Sequence, residues 1–214
     1  MDFAQARLNM LDGQLRPNKV TDAALLAAMG EVPREAFLPP ERVALAYADE
    51  DVPVGPGRWL MEPMVFARLV QAAEVGEGTR VLVVAAGAGY GALVLARSGA
   101  SVVALEAPGV MAGSLAPRLP GVTVVSGPVT EGWAAAAPYD VILIEGAVEH
   151  VPAAIEAQLA EGGRLVTVMA AARRFVLGLA VRRVRLGGTV TEVPLFDAGT
   201  PALPEFRRAP AFVF

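Results

Sequence analysis

From residue 79 the chain repeats one pattern: "RVLVVAA", "SVVALEA", "VTVVSG", "YDVILIEG" and "RLVTVMA" are short, β-branched apolar runs, each separated from the next by a segment long enough to hold a helix. Strands that are apolar almost without interruption are buried on both faces, which is the property of a parallel sheet with helices above and below it. The pattern predicts an α/β fold, a Rossmann-like doubly wound and mostly parallel sheet with right-handed crossovers. The last third departs from it. In "RFVLGLAVRRVRLGGTVTEVPLFD" two strand-like runs flank Gly187 and Gly188, which predicts an antiparallel C-terminal hairpin.

Ahead of residue 79 the periodicity is helical over 5–16, 22–31 and 62–74, and Asp22 is placed to cap "AALLAAM". "VPREAFLPPE" and "EDVPVGPGRW" carry too many prolines and glycines for long regular elements and read as loops or short extended pieces. The chain divides into a helical cap with loops, 1–78, and a core, 79–214. At 214 residues and 54% hydrophobic content it can bury one large core. Its apolar runs are too short to span a bilayer, and "MDFAQARLNMLDGQLR" has no apolar signal core, so a cytoplasmic protein without membrane association is expected.

Composition removes several chemistries. The absence of cysteine excludes disulfides, thiolate catalysis and cysteine-ligated metal, and a single histidine argues against a metal site. A net charge of −4 disfavours nucleic acid as a partner. The pairs Arg173 and Arg174, Arg182 and Arg183, and Arg207 and Arg208 read as solvated faces.

"VLVVAAGAGYGALVLARSGASVVALE", 81–106, is the stretch with chemistry in it. A parallel strand that ends in glycines and feeds a helix gathers backbone N–H groups and the positive end of the helix dipole at the carboxyl edge of the sheet. The turn residues are Ala85, Ala86, Gly87, Ala88 and Gly89. Glu106 ends the next strand, 19 residues after Gly87, where an acid can accept from both hydroxyls of a ribose. A nucleoside ligand follows. Gly87, Gly89 and Ala92 also satisfy the dinucleotide fingerprint, so spacing alone leaves NAD and S-adenosylmethionine both open, with simple packing as the third reading.

Context separates them. "MLDGQLRPNKVTDAALLAAMGEVPREAFLP", "AYADEDVPVGPG", "EPMVFARLVQA", the glycine segment and "GWAAAAPYDVILIEGAVEHVPAAIEAQLAEGGRLV" together resemble the protein-L-isoaspartate O-methyltransferases, S-adenosylmethionine-dependent enzymes. The resemblance implies methyl transfer to a peptide or protein carboxylate. It implies a cofactor site at Ala85, Ala86, Gly87, Ala88, Gly89 and Glu106, with adenine toward Gly127 and Pro128. The acceptor pocket it implies is made by Trp59, Leu60, Met61, Glu62 and Pro63. Glu145 and His150, at the carboxyl end of the fourth core strand, are further candidates on the acceptor side.

The chain departs from the family in places. Met61 stands where the family has a serine beside the acceptor, Val83 where it has a carboxylate, Ala85 where it has a glycine and Pro128 where it has an acid for the adenine amino group. An acceptor carboxylate is anionic at neutral pH and needs no general base, so the departures bear on acceptor choice and cofactor affinity more than on the reaction. The alternatives are a retargeted or non-catalytic relative that binds the cofactor weakly, and an NAD-dependent oxidoreductase. Trp133 reads as core packing, with adenine contact as the other reading.

Overall fold

The computed structural model describes residues 1–110, 116–171 and 177–208. The chain opens with α1 (Phe3–Met10), where the Asp2 carboxylate accepts from the Gln5 amide as an N-cap. The helix then widens for one turn, so that the Arg16 N–H donates to the Leu11 carbonyl five residues back. Asp22 caps α2 (Ala23–Glu31) by accepting from the Leu25 amide, as its sequence position predicts. The proline-rich stretches form 3-10 turns at Arg34–Phe37 and Pro40–Leu45, followed by a two-stranded hairpin, β1 (Val52–Gly55) with β2 (Arg58–Leu60). Next comes α3 (Pro63–Ala73), with proline at its first position where the missing N–H is harmless. Its buried residues, Val65, Phe66, Leu69, Val70 and Ala73, recur at helical spacing and face the sheet.

The core is a seven-stranded sheet. β3 (Arg80–Val84), α4 (Tyr90–Arg97), β4 (Ser101–Glu106), β5 (Val122–Ser126), β6 (Tyr139–Val148) and β7 (Leu159–Met169) are followed by β8 (Gly178–Leu186) and β9 (Thr189–Ala198), in the sheet order β5-β4-β3-β6-β7-β8-β9. The first five strands are mutually parallel, and β8 and β9 add to the edge antiparallel. Leu186 pairs with Thr189 across Gly187 and Gly188, whose φ angles of +58° and +77° suit a two-residue turn and few other residues. The α/β class, the parallel sheet and the terminal antiparallel pair are those the sequence predicts.

Topology fixes where a ligand can go. The chain travels from β3 outward through β4 to β5, then returns to β6 on the other side of β3. The carboxyl ends of β3 and β6 therefore flank the switch point at which open α/β sheets bind ligands.

The crossovers differ from expectation. Between β5 and β6 the chain makes only the 3-10 turns Val129–Glu131 and Ala134–Ala136, and between β6 and β7 a single helical turn, Ala153–Glu156. Gly127, Pro128, Gly132 and Pro138 break the backbone too often for a helix there. This face is closed instead by Val129, Tyr139, Ile155, Leu203 and Phe206, the last two brought back by the segment after β9. The Arg173 and Arg174 pair lies outside the described residues. Arg182 and Arg183 are engaged with Glu74, Glu156 and Glu192 rather than merely solvated. Among the described residues no helix is long and apolar enough to cross a membrane.

Candidate active site

After β3 the backbone turns sharply. Ala85, Gly87 and Gly89 have φ of +57°, +54° and +90°, and Gly89 caps α4. The Gly89 N–H donates to the Ala86 carbonyl at 2.8 Å, closing the turn. Glu106, last residue of β4, reaches across to accept from the Gly87 amide at 2.8 Å. The two halves of the sequence pattern, glycine turn and strand-terminal acid, thus meet at the carboxyl edge of the sheet.

A residue that sequence reasoning passed over meets them there. Arg58, first residue of β2, is 1% exposed and faces Glu106, itself fully buried. Its Nε lies 3.1 and 2.9 Å from the two carboxylate oxygens of Glu106 and its Nη2 lies 2.7 Å from Oε1. On its outer side the guanidinium donates to Glu205, from Nη2 at 2.8 Å and Nη1 at 3.2 Å, and to the Gly57 carbonyl at 2.9 Å. All five N–H donors of an arginine are then satisfied. Burial opposes the charge on Arg58, but the two carboxylates outweigh it and hold the guanidinium above its usual pKa. For Glu205 burial would raise the pKa, and the bonds from Arg58 outweigh that and lower it.

For Glu106 the consequence is that its acceptor positions are already taken. As a lone ribose acceptor it would have free lone pairs, yet Oε1 accepts from Arg58 and from the Ala107 amide at 2.6 Å, while Oε2 accepts from Arg58 and the Gly87 amide. A carboxylate has about four acceptor positions, and here all are used. The space over the turn is filled as well: a Cβ placed on Gly87 would meet Arg58 Cβ at 3.8 Å, Val54 Cγ2 at 3.8 Å and the Trp59 carbonyl at 3.9 Å. With the β1–β2 hairpin in this position, the residues present do not accommodate the ribose of S-adenosylmethionine beside Glu106. A sugar hydroxyl can donate to the carboxylate but brings no charge to offset it, so a diol exchanges poorly for the guanidinium, whose own charge would lose its buried partner.

The adenine side is also furnished by the chain. Gly127 donates to the Glu106 carbonyl at 3.1 Å, and a Cβ on it would meet Trp133 Cζ3 at 3.3 Å, so Trp133 packs over Gly127 within the core. Pro128 begins the following 3-10 turn. Ala85, Ala86 and Ala88 are buried, and Val83 is wholly inside the sheet.

The acceptor-side candidates separate. Leu60 and Met61 are buried core residues, Trp59 is half-buried in β2, and Pro63 starts α3. The Met61 carbonyl accepts from Arg34 Nη2 at 2.9 Å, and Arg34 Nε reaches the Ala46 carbonyl at 2.8 Å. Arg34, the arginine of "VPRE", therefore ties the helical cap to this segment, with its guanidinium 4.8 Å from the centre of the Tyr90 ring. Burial, with help from Asp49 and Asp51, pushes the Glu62 carboxyl up to about 7. Glu145 on β6 is buried against α4, and desolvation raises it to about 8. His150, just past β6, is partly buried with its Nδ1 lacking a partner among the described residues. It does not join the turn and Glu106 in any described hydrogen bond. The signal that could have exposed Arg58 is a lone arginine between "VGPG" and the apolar "WLM", a charge with no water-facing pattern to explain it.

A family model described as "Protein-L-isoaspartate(D-aspartate) O-methyltransferase (PCMT)" matches residues 6–185. Over 165 residues the chain is 45% identical to a protein-L-isoaspartate O-methyltransferase of Methylorubrum populi, covering 75% of this chain and 78% of that one. It is 38% identical to protein-L-isoaspartate O-methyltransferase 1 of Rhodopseudomonas palustris over 213 residues, 97% of this chain and 83% of that one. Among solved structures, a protein-L-isoaspartate O-methyltransferase superposes with a TM-score of 0.78 at 24% identity, over 92% of this chain and 65% of that one. A Plasmodium falciparum structure in complex with S-adenosyl-L-homocysteine gives 0.75 at 16% identity, over 96% and 99% of the two chains. At those identities the likeness of the structures concerns the fold.

Proposed function

The chain belongs to the protein-L-isoaspartate O-methyltransferase family, and on that premise we propose that it is a carboxyl O-methyltransferase acting on a peptide or protein carboxylate. S-adenosylmethionine supplies the methyl group in this reading. The observation that carries it is the meeting of Glu106 with the Gly87 amide, at 2.8 Å, beside the switch point of the sheet. An acid and a bare-backboned turn placed there have the form of a ribose site.

The acceptor side is where this chain differs from its family. In this reading the acceptor meets the segment Trp59, Leu60, Met61, Glu62 and Pro63, of which Leu60 and Met61 are buried and shape the pocket from behind, with Glu145 on β6 as a further acceptor-side group. A thioether and an indole in place of small polar groups favour an acceptor whose carboxylate is flanked by apolar side chains. Incubating the protein with methyl-labelled S-adenosylmethionine and an isoaspartyl peptide with apolar flanking residues tests the reading. Base-labile label on the peptide is the expected outcome. Label no higher than with the matching normal aspartyl peptide would overturn it.

A further inference from the structure

The place over the glycine turn and Glu106 where the family reading puts the cofactor is filled by the chain itself. Among the described residues Arg58 is the one group that bonds both oxygens of Glu106, and it arrives on a hairpin that is hydrogen-bonded to no strand of the main sheet, although Val52, Val54 and Leu60 reach the core beside it. β1 and β2 pair only with each other, so the hairpin can move as a unit without breaking a hydrogen bond of the seven-stranded sheet. Its ends are short connections, at Asp51 on one side and at Met61 and Glu62 on the other. Its contacts at the site are the Arg58 pairs with Glu106 and Glu205, the packing of Val54 over Gly87, and Gly57 set against Pro204.

We infer that the β1–β2 hairpin is an autoinhibitory strap, in which Arg58 takes the place of the ribose diol on Glu106 and must withdraw before an adenosyl ligand can enter. This rests on the family reading, since it takes the closed site to be a cofactor site. Glu205 is the outer anchor: it holds the guanidinium from the side opposite Glu106 and belongs to the segment after β9. Release of that segment therefore loosens the strap from a distance, with no change at Glu106 itself.

The test uses the full chain, S-adenosylhomocysteine as probe, and calorimetric titration of the parent, Arg58→Gln and Glu205→Gln. Arg58→Gln should bind about tenfold more tightly than the parent or better, and Glu205→Gln should bind more tightly by a smaller factor. In the parent, saturating S-adenosylhomocysteine should speed hydrogen exchange of the amides in residues 52–60. Equal or weaker binding by a folded Arg58→Gln protein overturns the strap, as does ligand bound with those amides as protected as before. Should Arg58→Gln fail to fold, a folded Glu205→Gln protein that binds no better than the parent overturns it equally. The two readings fail differently. If the variants bind tightly and release the hairpin but none methylates the peptide, the strap stands and the methyltransferase reading falls. If parent and variants bind alike and all methylate, the reverse holds.

Discussion

Five hydrogen bonds converge on the buried Glu106 carboxylate, and Arg58 supplies three of them, its Nε shared between the two oxygens. A buried ion pair of this kind adds little over an apolar pair of the same volume, because both charges lose their water. Removing one partner leaves the other charge stranded, at a cost of about 3–5 kcal/mol. Arg58→Gln and Glu106→Gln should each destabilise the fold by roughly that amount, and the double substitution by clearly less than the sum. A coupling of at least about 2 kcal/mol in a urea double-mutant cycle is the expected result; additive effects would mean that the two groups do not depend on each other. Glu106 was legible in the sequence because its distance from Gly87 is set by one helix and one strand. Arg58 was not, since it precedes Glu106 by 48 residues and only the folding of the hairpin onto the glycine turn joins them.

At the level of elements, strand runs and helix caps were readable because their period is local: two residues for a strand, 3.6 for a helix. The β1–β2 hairpin is the counterexample, with strands of four and three residues that include Pro53 and Gly55 and give no usable period. The crossover from β5 to β6 escaped for the opposite reason. Its alanines look helical, while Pro138 and the flanking glycines keep the chain in single turns. Gly91 in α4 shows how tertiary packing overrides propensity. Alanine should favour the helix by about 1 kcal/mol. A Cβ there would lie 2.8 and 2.9 Å from the Glu145 oxygens and 2.9 Å from Phe66 Cε2, all in buried surroundings. Overpacking costs about 1–3 kcal/mol, and three contacts under 3.0 Å put this site in the upper half of that range, so with the helix gain subtracted Gly91→Ala should lower stability by about 1–2 kcal/mol and reduce the melting temperature. A rise in melting temperature would show that α4 stands further from β6 than these contacts place it.

For the whole molecule, the sum of charges says little about how stability varies with pH, because only the fold decides which carboxyls are buried. Glu145 is raised to about 8 chiefly by burial, with Glu106 adding to the rise and Arg34 and the Gly91 amide opposing it. Glu62 is raised to about 7 by burial and by Asp49 and Asp51, and burial raises Asp51 too. A carboxyl whose pKa is higher in the folded state holds its proton more tightly there than in the unfolded chain. Its contribution is therefore complete below the unfolded value, near 4.5, and is lost as pH rises through the folded value. Glu205 is lowered and acts in the other direction, losing its contribution as the solution is made more acidic. Stability should consequently be greatest near pH 5 and decline toward pH 8. Glu145→Gln replaces the titrating group with a neutral one of the same shape. Urea unfolding of parent and variant at pH 5 and pH 8 should show the variant losing less stability over that interval, by about 1 kcal/mol or more. Equal losses in the two proteins would mean that Glu145 is already ionised in the folded state at neutral pH, and that the polar groups around Arg34 and Tyr90 solvate its charge.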